Sequence, residues 1–244
     1  MPTLLKQVVR HQRNWYGQWH TWAGIFAGSI LLIVSLTGAL LVFEQELDVW
    51  LNPQMFQFEE SGERLSFEEV IQAVQAQHPD YSLNGVFVDP TRNDVYLMAI
   101  EREPEKYEQL YANHHTGAVT GIRVYQESVM GFIRHLHRTL LIPPFGKYLV
   151  GIAAIICAIL MITGLRLWIP KRWNSLKARL GVKWGGSAKR VNYDFHNSLG
   201  FYFSPMITLI SLTGAMITFA QVVLLFLFLL NFQSPMSISE VLDQ

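Results

Sequence analysis

The sequence predicts an α-helical membrane protein with three transmembrane helices and a small α+β extracytoplasmic domain inserted between helices 1 and 2. Half of the 244 residues are hydrophobic and only 16% are charged, and the apolar residues form long runs. The charges are also segregated. Residues 44–147 hold 16 acidic and 8 basic residues, whereas residues 166–195 hold 8 basic residues and one acidic residue. Such segregation indicates regions on opposite sides of a membrane.

Residues 1–46 are predicted to form a cytoplasmic N-terminus and transmembrane helix 1. The run from Thr21 to Phe43 has 23 residues and no charge, which is enough to cross a hydrocarbon core of roughly 30 Å as an uncleaved helical anchor. Lys6, Arg10 and Arg13 precede this run, and no acidic residue does. Because basic residues stay on the cytoplasmic side, the N-terminus is expected there.

Residues 47–126 are predicted to form the small soluble domain. Ser66 and Glu69 have the spacing of a capping box, which predicts a helix that starts after Ser66. Its apolar face would consist of Val70, Ile71, Ala73 and Val74. Four strand-like runs follow, "SLNGVFVD", "DVYLMAI", "KYEQLYAN" and "AVTGIRVY", separated by turn signals. The pattern favours one helix packed on a small antiparallel sheet.

The rest of the chain is predicted to supply two more spans. Residues 127–169 would form an amphipathic interfacial helix and transmembrane helix 2, the latter from Tyr148 to Trp168 with a stop at Pro170. Residues 170–194 would be a basic cytoplasmic loop. Residues 195–244 would form a long transmembrane helix 3 and a periplasmic C-terminus. The apolar run reaches about Phe232, so this helix must tilt, kink at Pro205 or project beyond the bilayer.

The first and third spans form an internal repeat. "HTWAGIFAGSILLIVSLTGALLVF" starts at His20, and "HNSLGFYFSPMITLISLTGAMITF" starts at His196. The two align without a gap, so that His20 corresponds to His196 and Gly24 to Gly200. Both histidines begin a span on the predicted cytoplasmic side, and they are therefore expected at a similar depth. The small residues of the shared "SLTGA" (Thr37, Gly38, Thr213 and Gly214) are interpreted as sites of close helix packing.

The order of these motifs resembles the PepSY-associated transmembrane family of bacterial iron-regulated membrane proteins. The matching pieces are "WHTWAGI…SLTGALLVFEQELD", the helix-plus-sheet insert, "LHRTLL", "GLRLWIPKRW" and "NYDFHNSLGFY…SLTGAM". The resemblance implies a PepSY-like periplasmic insert, a multi-pass protein of the bacterial inner membrane, and a similarity to haem-containing ferric-siderophore reductases. It also aligns His137 with the histidine of the family's "LHR" motif.

The paired histidines are interpreted as ligands of haem b. A b-type haem takes two neutral imidazoles from facing helices, and His20 with His196 would supply them. Gly24 and Gly200, one turn on, would let the ring approach. Cations available for the propionates are Arg10, Arg13, Lys171 and Arg172. His137 would ligate a second haem near the outer face. The alternative is that these histidines only anchor helix ends at the interface.

Two functions from different classes remain open from the sequence. The first is an inner-membrane b-type cytochrome that passes electrons from a cytoplasmic or quinone donor to a periplasmic ferric chelate of the siderophore type. The second is a non-enzymatic membrane-anchored PepSY module that binds or regulates an extracytoplasmic partner. Longer family members carry further spans, whereas this chain ends soon after "LLFLFLLNFQSP". A homodimer or a second subunit would then complete a haem site.

Other features are assigned simpler roles or exclude other functions. His114 and His115, in a predicted turn, and His11 are expected to be exposed, and His78 is expected to cap a helix. His135 should point away from the site of His137, and Arg134 and Arg138 suit a propionate, an anionic substrate or lipid phosphate. The chain has no glycine-rich nucleotide fingerprint and no HExxH or Gly-x-Ser-x-Gly motif. The basic loop is better explained by membrane lipid than by nucleic acid.

Overall fold

The computed structural model describes residues 2–56, 62–87, 95–103, 106–169 and 176–230, and in the first helix it describes side chains from Trp15 onward. A four-stranded sheet and nine α-helices occur within these residues. The helices are α1 (Pro2–Val42), α2 (Glu44–Leu51), α3 (Pro53–Phe56), α4 (Phe67–Gln77), α5 (Val129–Thr139), α6 (Gly146–Trp168), α7 (Leu176–Leu180), α8 (Ala188–Thr218) and α9 (Ala220–Leu230). The strands are β1 (Ser82–Phe87), β2 (Val95–Glu103), β3 (Lys106–Asn113) and β4 (Val119–Arg123), and a 3₁₀ turn covers Tyr125–Glu127.

Three helices are long and apolar enough to cross a membrane. They cover Trp15–Val42, Gly146–Trp168 and Ala188–Thr218, which confirms the prediction of three candidate spans. Large apolar side chains such as Leu36, Ile162 and Leu209 are exposed along these helices. A soluble protein rarely exposes contiguous apolar surface of this kind, so these faces suit contact with lipid. The chain is a mostly helical, multi-pass membrane protein with a small sheet.

The chain divides into two compact units, which we name by their content. The helical unit comprises Met1–Val34 and Arg138–Gln244, and the sheet unit comprises Ser35–His137. In the sequence, the sheet follows the first candidate span and precedes the second. The predicted boundaries at residues 46, 126, 169 and 194 stay predictions.

Within the helical unit, small residues bring the helices together. Ala27 of α1 packs against Ala153 and Leu160 of α6, and all three are buried. Gly151 of α6 lies against α8, where a methyl group would lie 2.6 Å from the side chain of Thr218. At the other end of α6, the rings of Trp168 and Phe201 stack with centroids 4.1 Å apart. Small residues at helix contacts are the usual means of close packing in a membrane.

The third span is one helix through Pro205 and is interrupted further along. A proline cannot donate to the carbonyl four residues earlier, here that of Phe201. The Ser204 hydroxyl donates to this carbonyl instead, at 3.0 Å. The helix ends at Thr218, and Phe219 separates it from α9 with φ −105° and ψ 31°. Phe43 separates α1 from α2 with nearly the same angles, φ −103° and ψ 26°, so the repeat extends to the position of the helix break.

The sheet unit contains the predicted helix on an antiparallel sheet. Strands β1 to β4 are hydrogen-bonded in sequence order, each antiparallel to the next. Both halves of the capping box at Ser66 are formed, and the bond from the Ser66 backbone N–H is the main reason that the pKa of Glu69 is lowered. Val70 and Val74 of α4 are fully buried against the sheet. The sheet residues of this core are Met98, Ile100, Leu110 and Ala112.

Two ion pairs fasten the ends of this unit together. Arg123 of β4 donates two hydrogen bonds to the carboxylate of Asp48 in α2, at 2.7 and 2.6 Å; the Asp48 side chain is buried and the Arg123 side chain is 10% exposed. Arg134 of α5 pairs with Glu44 of α2, and the Tyr125 hydroxyl also donates to Glu44. Burial and this bond to Glu44 raise the pKa of Tyr125 to about 12.

Candidate functional site

The helical unit brings together the two histidines that begin the repeat. His20 of α1 and His196 of α8 have ring centroids 6.4 Å apart, with ring planes inclined at 74°. The prediction placed them at a similar depth because both spans run in the same direction. The structure adds that the rings are neighbours. Their role as ligands stays a prediction.

The spacing of the two rings suits coordination of one metal atom between them. A metal–nitrogen bond to histidine is about 2 Å and a ring nitrogen lies about 1 Å from the ring centre, so two opposed imidazoles have centroids about 6 Å apart. The observed 6.4 Å falls close to that value. No atom lies within 4 Å of a methyl group placed at Gly24 or at Gly200. There is thus free space beside both glycines where a flat ring could lie.

Thr163 and Gly164 of α6 contact the His20 ring. The Thr163 hydroxyl oxygen is 3.1 Å from His20 Nδ1. A methyl group at Gly164 would lie only 3.2 Å from His20 Cε1, so the absence of a side chain lets the ring rest on the helix. The imidazole is therefore held on two sides, by a hydrogen bond at Nδ1 and by contact with the α6 backbone.

The sheet unit holds His137 in the same way. The hydroxyl oxygen of Thr37 is 3.2 Å from His137 Nδ1, and a methyl group at Gly38 would lie 3.0 Å from His137 Cε1. Thr37 and Gly38 were interpreted as a site of close helix packing, and here their small size admits an imidazole from α5. No atom lies within 4 Å of a methyl group at Gly214, so that glycine packs against no neighbouring helix among the described residues.

The remaining predicted residues have mixed outcomes. The expectation that His114 is exposed was wrong, because this residue is buried, with only 3% of its surface exposed. His115 is half-buried. His78 does cap α4, and its ring stacks on Tyr81. His135 is exposed, unlike the half-buried His137.

The four cations proposed for the propionates of a haem at the histidine pair have side chains outside the described residues, so their role stays a prediction. Of the two arginines beside His137, which were expected to suit a propionate, an anionic substrate or lipid phosphate, Arg134 is paired with Glu44 and Arg138 is exposed. The side chains of His11, Arg10 and Arg13 lie outside the described residues, as do Lys171 and Arg172. The predicted stop at Pro170 and the end of the third apolar run also lie outside them. Within the described residues, no group of three or more histidine, cysteine, aspartate or glutamate side chains could hold a metal ion.

The comparison with known families decides the chain's relationship. The model of the PepSY-associated TM region matches residues 18–236. The chain belongs to this family. The match includes His20, His137 and His196, and it confirms the resemblance found from the motif order. Among curated proteins, no sequence matches this PepSY-associated TM protein.

Two site residues were missed by sequence reasoning. Thr163 and Gly164 lie outside the aligned repeat, and neither is a usual ligand of haem iron. A usable signal was present, because each of the three candidate spans contains a Thr–Gly dipeptide, at positions 37–38, 163–164 and 213–214. In two of these dipeptides the threonine hydroxyl lies at hydrogen-bond distance from a histidine Nδ1.

Proposed function

We propose that this PepSY-associated TM protein is an inner-membrane b-type cytochrome that reduces a ferric chelate in the periplasm. The observation that carries the proposal is the 6.4 Å separation of the His20 and His196 rings. His20 and His196 would hold the haem iron from α1 and α8, and Gly24 and Gly200 would leave room for the ring. A haem bound there would accept and donate single electrons at a potential tuned by its ligands.

The charge distribution supports an outward direction of electron transfer. Basic residues are concentrated before the first span and from residue 166 to residue 195, which suits the cytoplasmic side. The histidine pair would then take electrons from a cytoplasmic or quinone donor. The sheet unit, as a PepSY-like domain, would lie in the periplasm and shape the substrate site or hold a partner. His137 would serve as a relay or as a ligand of a second haem.

The proposed reaction is a one-electron reduction of the bound metal ion. The Fe³⁺ of the chelate gains an electron and becomes Fe²⁺, while the chelator itself is unchanged. A siderophore-type chelator binds through hard oxygen atoms, which hold the lower charge of Fe²⁺ less strongly. Reduction would therefore release the iron.

The test is the reduced-minus-oxidised visible spectrum of the purified full-length chain, measured with the haem-to-protein ratio. The wild type should give a low-spin b-type signal, and His20→Ala and His196→Ala should each abolish it. His135→Ala, which removes an exposed histidine, should leave it unchanged. A residual signal that His137→Ala removes would identify a second haem.

A second candidate function is a membrane-anchored module that binds an extracytoplasmic partner. The observation that favours it is the self-contained core of the sheet unit, in which α4 packs on four strands around six fully buried residues. Such a unit could fold around a binding surface without any haem. Well-folded protein that stays colourless after haem is supplied would exclude the cytochrome and leave this module.

A further inference from the structure

We propose that Thr163 is a positioning residue that fixes the tautomer of His20. The Thr163 hydroxyl would keep the His20 proton on Nδ1 and thereby leave the lone pair on Nε2. This rests on the proposed function in one respect, namely that Nε2 of His20 is the atom that binds the haem iron. The tautomer itself is a property of the protein and can be measured without haem.

The hydrogen bonds of Thr163 determine which partner donates. A hydroxyl group carries a single proton and can accept further bonds through its lone pairs. The Thr163 oxygen lies 3.0 Å from the carbonyl oxygen of Ile159 and 3.2 Å from that of Leu160, in its own helix. A carbonyl can only accept, so the threonine proton is directed at the α6 backbone. With the threonine proton so placed, the imidazole would donate the 3.1 Å bond from His20 Nδ1.

This arrangement has a direct consequence for coordination. A neutral imidazole has one protonated nitrogen and one with a free lone pair, and only the second can bind a metal. With Nδ1 protonated, Nε2 of His20 is the available donor. Histidine ligands commonly donate their other ring N–H to an oxygen, which fixes the tautomer and the ring orientation. Thr163 would supply that oxygen, and Gly164 would set how closely the ring rests on α6.

Thr213 provides a matched control in the third span. Its hydroxyl donates to the carbonyls of Leu209 and Ile210, each at 3.0 Å. The two threonines therefore make the same bonds to their own helices, and each is followed by a glycine. The difference used here is that the Thr163 hydroxyl also lies at hydrogen-bond distance from His20 Nδ1. Replacement of either threonine by valine removes the same bonds to the backbone of its own helix, although Thr163 is half-buried and Thr213 is exposed.

The experiment is ¹⁵N NMR of histidine-labelled, haem-free, full-length protein in detergent micelles, at alkaline pH where the imidazoles are neutral. The His20 signals are assigned by their loss in His20→Ala. Wild type and Thr163→Ser should show His20 protonated at Nδ1, and Thr163→Val should shift the proton wholly or partly to Nε2. Thr213→Val should match the wild type. Wild-type His20 protonated at Nε2, or a Thr163→Val spectrum identical to the wild type, would overturn the proposal.

Haem titration of the same variants separates this inference from the proposed function. Loss of an outer partner of a histidine ligand typically weakens metal binding by about 10- to 100-fold. Thr163→Val should therefore weaken haem binding by that factor, Thr163→Ser should restore it, and Thr213→Val should not change it. If no variant binds haem but the tautomer changes as expected, the role of Thr163 stands and the cytochrome assignment fails. Equal haem affinity in Thr163→Val and the wild type would overturn the link to ligation.

Discussion

At the scale of single residues, alanine substitutions at three glycines near the histidine pair are expected to have different effects. A methyl group at Gly24 or Gly200 meets no atom within 4 Å, whereas one at Gly164 lies 3.2 Å from His20 Cε1. Gly24→Ala and Gly200→Ala should therefore leave the haem-free protein intact but reduce the haem-to-protein ratio, because the methyl groups would occupy space that the proposed haem would need. Gly164→Ala should displace the His20 ring by a few tenths of an ångström and alter the haem-free NMR signals of His20.

Circular dichroism and the haem-to-protein ratio, measured on each purified variant, would separate these effects. Gly214→Ala is the control, since Gly214 also has free space around it but lies in the third span away from His196 in the sequence. Full haem content in both Gly24→Ala and Gly200→Ala would mean that the ring does not lie along these glycines.

Ionisation of Tyr125 is expected to lower the free energy of unfolding of the chain at alkaline pH. Its pKa rises from 10.0 to about 12 on folding, through burial and its hydrogen bond to Glu44. A group whose pKa is raised in the folded state stabilises that state fully below its unfolded pKa, and the contribution disappears as the pH rises through the folded pKa. The stabilisation from Tyr125 should thus be lost between about pH 10 and pH 12. Between these two pH values, the melting temperature of the solubilised wild-type chain should fall more steeply with pH than that of Tyr125→Phe. Equal slopes for the two proteins would contradict this role of Tyr125.

The sequence predicted the paired histidines but not the residues that orient them. The repeat can be found by aligning the sequence with itself. Because its two spans are predicted to cross the membrane in the same direction, the equivalent residues His20 and His196 are expected at the same depth. Thr163 belongs to the second span, which is not part of the repeat, so its contact with His20 depends on how α6 packs beside α1. That packing rests on Ala27, Ala153 and Leu160, and apolar residues of this kind look alike whether they face lipid or another helix.

At the scale of secondary structure, the ion pair between Asp48 and Arg123 links α2 to the sheet. The Asp48 side chain is buried at 5% exposure and the Arg123 side chain is mostly enclosed at 10%, and the Arg123 guanidinium also donates to the Tyr111 hydroxyl at 2.6 Å. Removing one member of a buried ion pair typically costs about 3–5 kcal/mol, because the other charge is left without compensation. Asp48→Asn should lower the free energy of unfolding of the sheet unit by an amount near that range.

Two further variants make this prediction specific. Asp80→Asn removes an exposed carboxylate and should have little effect on chemical denaturation of the full chain. The double variant Asp48→Leu with Arg123→Met removes both charges and should lose less stability than Asp48→Asn alone. A double variant less stable than Asp48→Asn would indicate that the pair contributes through its geometry and not through charge compensation.

Local signals predicted the elements of the sheet unit well and the long helices less well. The capping box at Ser66 fixed the start of α4 because its hydrogen bonds join residues three apart. The third span was expected to tilt, kink at Pro205 or project, and these alternatives stay predictions; its helix includes Pro205 and ends at Thr218. The hydroxyl of Ser204 satisfies the carbonyl that the proline leaves without a donor. The only sequence feature associated with the helix break at Phe219 is that this residue aligns with Phe43, where the first helix also ends.

At the scale of the whole molecule, the proposed outward direction of electron transfer depends on how the chain is oriented in the membrane. The single cysteine, Cys157, is buried, so Cys157→Ser gives a background in which one new cysteine reports its side of the membrane. Thr116→Cys places a thiol in an exposed turn of the sheet unit, and Gly185→Cys places one before α8 at an exposed position. A membrane-impermeant maleimide should label Thr116→Cys in intact spheroplasts and Gly185→Cys only after lysis, because basic segments stay in the cytoplasm.

The labelling result constrains the proposed function directly. His20 and His196 lie near the starts of their spans, at the ends that carry the basic residues. Thr37, which contacts His137, lies near the opposite end of the first span. If Gly185→Cys is cytoplasmic and Thr116→Cys is not, the histidine pair is on the side of the proposed electron donor and the sheet unit is on the side of the proposed ferric chelate. If the labelling is reversed, the same histidines would face the periplasm. Electrons from the cytoplasm could not then enter at that pair, and outward reduction through it would be wrong even in a protein that binds haem.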